Sequence, residues 1–251
     1  MTRWCLIPNL LFYFLSTLFY LLLPFGASIP LEERKRFWLI DAAYVFALFG
    51  AFLELIYLSY GIYLQSFSPF VLLSFGLAIL FLWFGRERRW QALGAIFVPL
   101  AFIFLLLSLG SATQSYLLEK LTGLMVFHVV LALLALVFLL GNFCLGVAFL
   151  IHERNLKIKR FDMFTMNLPP LLFSEKQARL FLQIGFVLLS LVLISGSLLG
   201  FQEWMHVLLA LVAWGLYAAL LNRRWSGAQG KKMVLLSLLG FVSLAFAYLW
   251  T

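Results

Sequence analysis

Residues 124–151 read LMVFHVVLALLALVFLLGNFCLGVAFLI, a stretch with no charge and two strongly polar side chains, His128 and Asn142. A bilayer's hydrocarbon core, about 30 Å thick, needs roughly 20 consecutive apolar residues in a helix to cross it. This stretch exceeds that length and crosses. Working outward, seven more apolar segments can be marked: Cys5–Pro24, Trp38–Gly61, Pro69–Phe84, Gln91–Leu109, Ala178–Gly200, Trp204–Leu221 and Met233–Trp250. Most reach crossing length; the third is short. None alternates polar with apolar residues, as strands of a membrane β-barrel do. The expected fold class is all-α, a polytopic membrane bundle of eight transmembrane helices.

Composition agrees. The chain has 251 residues, 65% hydrophobic and 11% charged, where a soluble domain is nearer half apolar and a quarter charged. Its formal charge of +8 is read through topology and not as a nucleic-acid surface. Basic residues collect on cytoplasmic loops. Arg34–Arg36, Arg86–Arg89, Arg154–Arg179 and Arg223–Lys232 hold 16 of the 18 Lys and Arg, all on odd-numbered loops. Lys120 and Arg3 fall on the other side. Both termini are therefore expected outside, with the chain multi-pass in a bacterial inner membrane. Met1–Trp4 and the first span lack a convincing cleavage site, so that span is expected to stay in place.

Two halves are expected, residues 1–110 and 111–251, each of four helices and divided in the moderately polar segment Gly110–Gly123. The longest loop, His152–Arg179, is basic and carries Pro169-Pro170, which hold it extended. Cys5 and Cys144 should differ in depth by about 20 Å, too far for a disulfide.

The histidines carry the chemistry. His128 opens the fifth span and His206 the seventh, so both face the same compartment near the outer interface. An ionisable group inside a membrane is a functional candidate by default, and imidazole is a common metal ligand and a usual axial ligand of haem iron. A carbonyl- or headgroup-bonded interfacial histidine is the alternative for each. His128–Ala135 (HVVLALLA) and His206–Ala213 (HVLLALVA) also match at six of eight positions. Ala132, Ala135, Ala210 and Ala213 share the histidine faces and leave either a shallow recess for a flat ring or ordinary small-residue packing. His152, beside Glu153 and Arg154, reads as a solvated interface residue. Trp4, Trp204 and Trp250 mark one interface and Trp38, Trp90 and Trp225 the other.

Glu54 lies well inside the second span. A carboxyl there is protonated or paired. It could orient a ligand histidine, serve a proton relay or ion site, or bridge helices. No Walker loop, GxGxxG, HExxH or Cys-x-x-Cys occurs, and no catalytic nucleophile stands out, so the chain is not expected to be an enzyme.

The second half resembles the integral-membrane cytochrome c assembly superfamily, the CcsA/CcmC group, and within it the HemX/YpjD-like branch. The resemblance rests on His128-Val129, His152-Glu153-Arg154, Leu168-Pro169-Pro170-Leu171, Ser195-Gly196-Ser197-Leu198, His206, Ala213-Trp214 and Asn222-Arg223-Arg224. It implies haem ligation by paired outer histidines, here His128 and His206. Haem-delivering members carry a long Trp-rich loop with a WWD signature, where this chain has Gly200–Glu203 and a single Trp204. The expected cofactor is haem b, its propionates near Lys120 and Trp204. The expected role is haem handling or cytochrome c biogenesis. A HemX-like regulator of a haem-synthesis enzyme, acting through the basic cytoplasmic loop, and a transporter using Glu54 are the rivals. Expected partners are the bilayer, haem and either biogenesis components or that enzyme.

Overall fold

The computed structural model describes residues 6–25, 33–63, 66–110, 116–117, 123–159, 170–199, 204–222 and 230–249. These form α1 (Leu6–Phe25), α2 (Glu33–Tyr63), α3 (Pro69–Gly85), α4 (Gly94–Gly110), α5 (Gly123–Lys157), α6 (Leu171–Leu198), α7 (Trp204–Asn222) and α8 (Gly230–Leu249), with a 3-10 segment, Arg88–Leu93, leading into α4. Each helix corresponds to one of the eight apolar segments. Four are long and apolar enough to cross a membrane: Trp38–Ser59, Trp90–Gly110, Gly123–Lys157 and Leu171–Leu198. The other four have shorter apolar cores. Pro69 begins α3 directly after the extended Ser68, where a missing N–H costs nothing.

Some features differ from expectation. α6 begins at Leu171, immediately after Pro170, so 171–177 is helix and not loop. Pro170 immediately precedes the helix, which the apolar Leu171-Leu172-Phe173 starts. α5 runs six residues past Ile151 to Lys157, its exposed end supported by a Glu153–Lys157 pair at i,i+4. Ser66–Phe67 and Tyr116–Leu117 form a two-residue antiparallel pairing, which is too short to leave a period in the sequence.

The chain divides into two compact units, Met1–Glu119 with Ile151–Pro170, and Lys120–Leu150 with Leu171–Thr251. In the first, α1 packs on α2 and α4, and α3 packs on α2 and α4, closing a four-helix ring. Aromatic rings fill it: Phe12 lies against Phe46 and Phe49, and Tyr20 and Tyr44 both meet the edge or face of Phe81 at 5.8 Å.

In the second unit, α5 to α8 share one buried core of Ala135, Leu139, Leu182, Leu189, Ala213, Tyr217, Leu220 and Leu244. The contacts run antiparallel: Phe138 meets Phe181, and Asn142 and Gly146 meet Ser237 and Val234 in reverse order. Two glycines set close approaches. A Cβ at Gly185 would lie 2.7 Å from Leu139 of α5, and one at Gly240 would lie 2.7 Å from the Tyr217 ring of α7. The outward faces are apolar, with Leu191, Ile194, Leu211 and Val212 exposed to what must be lipid.

These glycines give the first expected outcome. Overpacking a filled core costs about 1–3 kcal/mol. Gly185→Val and Gly240→Val should each lower the thermal midpoint in detergent micelles. Gly215→Val should not, because a Cβ there meets nothing within 4 Å.

Candidate functional site

His128 is half-buried on the second turn of α5, and its Nδ1 lies 2.8 Å from Ser195 Oγ, in the last turn of α6. Ser195 Oγ in turn donates to Val192 O at 3.1 Å. A serine hydroxyl has one proton. Val192 O lies within reach of both the hydroxyl and the imidazole; in the arrangement with the hydroxyl proton on Val192 O, the oxygen accepts from Nδ1–H. The neutral imidazole then carries its lone pair on Nε2. The assignment comes from the hydrogen-bond network, and α6 repeats the device in an unambiguous form. Ser190 Oγ donates to Phe186 O at 2.9 Å and accepts from Trp214 Nε1 at 2.9 Å. Indole N–H can act only as a donor, so Ser190 must be the acceptor. Trp214 also stacks on Phe186, with centroids 5.3 Å apart. Two serines on one helix thus hold a ring N–H from each neighbour.

The backbone of His206 lies in the first turn of α7. Its side chain, that of Trp204, and the whole of Lys120 lie outside the described residues. Register still fixes the level of position 206. Asn142 Nδ2 donates to Ser237 Oγ at 2.8 Å, and Tyr217 Oη donates to Ser237 O at 3.3 Å. Asn142 is fourteen residues past His128, and Tyr217 eleven past His206. The positions therefore differ in depth by about three residues, or ~4.5 Å, less than a turn. The serines of α6 bracket it from the other side: Ser190 is five residues from Ser195, and its partner Trp214 is eight past His206, which puts position 206 about three residues nearer the outer end than 128 and not deeper. Face is fixed the same way. Seven residues past each histidine stand Ala135 and Ala213, at 1% and 0% exposure in the shared core. Positions 128 and 206 thus ride on the stripes that α5 and α7 turn toward that core. Ala135 and Ala213 are filled by the core. Ala132 and Ala210, one turn nearer the histidines, are partly exposed.

Glu54 belongs to the first unit. Its side chain is fully buried, and Oε2 accepts from Tyr13 Oη of α1 at 2.7 Å. Asn9, one turn earlier on α1, bridges the ladder of α2. Its Nδ2 donates to Gly50 O at 2.6 Å and its Oδ1 accepts from Glu54 N–H at 3.1 Å. Gly50 is required there, because a Cβ would lie 3.1 Å from the Tyr13 ring. Ser74 of α3 is buried against the same carboxyl. Of these groups, sequence reading identified Glu54 alone. Asn9, Tyr13, Ser16, Thr17 and Tyr20 do follow a helical three-to-four spacing, a signal that was there to be found.

Among the described residues no three His, Cys, Asp or Glu side chains gather as a metal site. Cys144 is a buried free thiol.

Comparisons with known proteins cover most of the chain. The model of the cytochrome c assembly protein family matches residues 63–251. The inner membrane protein YpjD of Escherichia coli K12 is 30% identical over 177 residues, 65% of this chain and 64% of its own length. The same protein from the CFT073 and O157:H7 strains matches equally. The chain thus spans just under two thirds of these curated relatives. No solved structure matches.

The Tyr13–Glu54 contact has a measurable consequence. Removing one partner of a buried pair leaves the other unsatisfied, at about 1–3 kcal/mol. Tyr13→Phe should lower the melting temperature in micelles. Glu54→Gln, whose amide oxygen still accepts from Tyr13, should lower it less. Equal losses would mean that the ring and not the hydroxyl is what matters.

The apolar spans and the relationship to an inner membrane protein make this a multi-pass inner-membrane protein, and the match over three quarters of its length makes the chain a member of the cytochrome c assembly protein family.

Proposed function

We propose that this protein binds b-type haem through His128 and His206 near the outer face of the membrane, and serves haem handling or cytochrome c biogenesis without itself being an enzyme. The observation that carries the reading is the 2.8 Å hydrogen bond between His128 Nδ1 and Ser195 Oγ. A ligand histidine binds metal through one nitrogen and is oriented by a hydrogen bond at the other. Ligation through Nε2 leaves the Ser195 bond intact. The shared depth and shared core stripe of positions 128 and 206 fit a pair of axial ligands. Bound haem would supply a redox-active iron. The protein's part is to hold it. The ring edge would lie at Ala132 and Ala210, above the closed end formed by Ala135 and Ala213. Lys120 and Trp204 would meet the propionates, whose charge needs water or a cation.

The topology that this requires is eight spans with both termini outside. Its support is the 16-to-2 division of basic residues and the antiparallel order of α5 to α8. Reporter fusions after Leu109 and Thr251 should read periplasmic, and those at Arg89 and Lys159 cytoplasmic. A cytoplasmic C-terminus would invert the depth of both histidines and remove the outer-face site.

Purified protein reconstituted with haem should show a Soret band. His128→Ala and His206→Ala should each abolish it or convert it to a weak five-coordinate form, while His152→Ala should leave it intact. Lys120→Glu should weaken haem retention more at low salt than at high salt, since exposed charge pairs are screened. A Soret band unchanged in both single histidine variants would overturn the assignment. One observation favours a HemX-like regulatory role as a second reading: α5 and α6 extend past their apolar cores as helices, with Leu172 78% exposed at the start of α6. Those ends flank the basic loop, which could dock a haem-synthesis enzyme.

A further inference from the structure

α3 is short for a membrane span. Its 17 residues, Pro69–Gly85, rise about 25 Å at 1.5 Å per residue, against a hydrocarbon core of about 30 Å. Its neighbour α2 has 31 residues and runs past it. The two pack so that the Tyr44 hydroxyl of α2 donates to Leu82 O at 3.3 Å, and a Cβ at Gly85 would lie 2.6 Å from the Tyr44 ring. The end of α3 is thus level with Tyr44, while α2 continues beyond that level to Glu33. Trp38, 75% exposed, stands on this continuation, about 9 Å along α2 from Tyr44. Tryptophan settles at the membrane–water interface, so α3 stops short of the level that Trp38 marks.

The following turn does not make up the difference. Glu87 N–H donates to Phe84 O at 3.3 Å and Trp90 N–H to Glu87 O at 2.9 Å. In the 3-10 segment that follows, Gln91, Ala92 and Leu93 are already buried. The chain therefore folds back at once and holds Arg86-Glu87-Arg88-Arg89 at the apolar end of α3, three arginines against one glutamate. The start of α2 has no such excess: residues 32–41 contain three basic and three acidic side chains. The cationic spot belongs to the short hairpin of α3 and α4.

One face of α3 leads to it. Ile79, Trp83 and Arg86, spaced i, i+4 and i+7, share that face, and all three are exposed, Trp83 at 78%. Trp90, expected in the interface belt, instead sets its ring edge-on to Phe84 at 6.4 Å and is partly buried. Trp83 takes the lipid-facing place. The stripe reads aliphatic, indole, guanidinium over two turns, which is the order in which a phospholipid presents its acyl chain, ester and phosphate.

We propose that the basic end of α3 binds one anionic phospholipid, with the phosphate at Arg86 and the ester region against the Trp83 ring. A span shorter than the bilayer is accommodated by local thinning or by flanking residues that reach the headgroups. Here a headgroup drawn toward Arg86 closes the gap. Guanidinium matches phosphate with two parallel hydrogen bonds, and indole joins an apolar body to a polar tip, as the ester level requires. The excess positive charge selects an anionic headgroup over a zwitterionic one, whose own cation it repels. Among the described residues, Glu87 and the half-buried Asp41 of α2 are the carboxylates at this level, two against the three arginines of the turn. The site is independent of the haem reading and of which leaflet this end faces.

The test is tryptophan quenching of the full chain in phosphatidylcholine liposomes that contain a lipid with brominated acyl chains. The share of Trp83 is the difference between wild type and Trp83→Phe. Brominated phosphatidylglycerol should quench that share at about a fivefold lower mole fraction than brominated phosphatidylcholine, and Arg86→Gln should remove most of the advantage. Arg86→Lys should keep much of it, high salt should weaken it, and Arg179→Gln, at an exposed cation of α6, should leave it unchanged. Equal quenching by the two lipids would overturn the proposal. So would an Arg86→Gln variant that loses thermal midpoint but keeps the lipid preference, the mark of an arginine that serves only the fold. An equal loss in Arg179→Gln would mean diffuse attraction to the whole basic surface and no single site. Adding inorganic phosphate at matched ionic strength separates a soluble anion from a lipid. Loss of the preference under phosphate would assign Arg86 to the free ion and overturn lipid binding, and an unchanged preference supports it.

Discussion

Hydrocarbon offers no hydrogen bonds, and the arrangement of this protein follows from that one fact. Backbone groups must pair within their own segment, hence helices. Side-chain polar groups must find partners inside the bundle. The two units meet this demand in opposite ways. In the second, each buried or half-buried polar group discussed above is paired across helices: His128 with Ser195, Trp214 with Ser190, Asn142 with Ser237. In the first, the demand falls on one helix: α1 turns Asn9, Tyr13, Ser16, Thr17 and Tyr20 inward, and Asn9 and Tyr13 meet Gly50 and Glu54 of α2. Hydrogen bonds between membrane helices are individually worth about 1 kcal/mol or less. The pairing in the second unit is therefore better understood as fixing ring orientation than as holding the bundle together. Cohesion comes from the apolar core and the glycine contacts at Gly185 and Gly240.

Orientation is what a ligand site needs. Ser190 and Ser195 are five residues apart, so they project from α6 about 140° apart around the helix and reach different neighbours. Each places its proton on its own helix, on Phe186 O and Val192 O, and keeps its lone pairs for a ring N–H. A serine bonded back to its own helix is usually a mild local weakness. On α6 it turns a two-way hydroxyl into a fixed acceptor, and a fixed acceptor selects a tautomer. Asn or Gln in that place would offer donor and acceptor together and leave the imidazole undecided.

The helical class and the eight apolar segments were legible in the sequence, because each rests on length and composition. The extension of α6 back to Leu171 was not. Pro169-Pro170 signals where a helix cannot run, but a following Leu-Leu-Phe does not announce a start that lacks a capping residue. The role of Ser195 was also hidden. Serine in a membrane helix commonly bonds its own backbone, and only the packing of α5 on α6 brings a ring nitrogen to it. Glu54 was visible as an oddity, being an acid in an apolar run. Its partners were missed because Asn9 and Tyr13 stand 45 and 41 residues away, and the polar spacing of α1 was masked by its high aromatic and leucine content.

The short connection between α6 and α7 bears on how a haem at this site would behave. α6 ends at Leu198 and α7 begins at Trp204, leaving too few residues to fold a lid over the outer ends of the helices. In the haem-delivering relatives that the sequence resembles, a long Trp-rich loop occupies this connection. Without it, a haem held by the two histidines as proposed would have its site open to the outer interface. Retention then depends on the axial bonds, on apolar contact around Ala132 and Ala210, and on interfacial charge at Lys120. The buried ends of the stripes, Ala135 and Ala213, are already filled by the core and cannot draw the ring deeper without parting α5 from α7. Such a site is shallow by construction. It suits a protein that holds or senses haem at the membrane surface more than one that encloses haem for transfer to an acceptor.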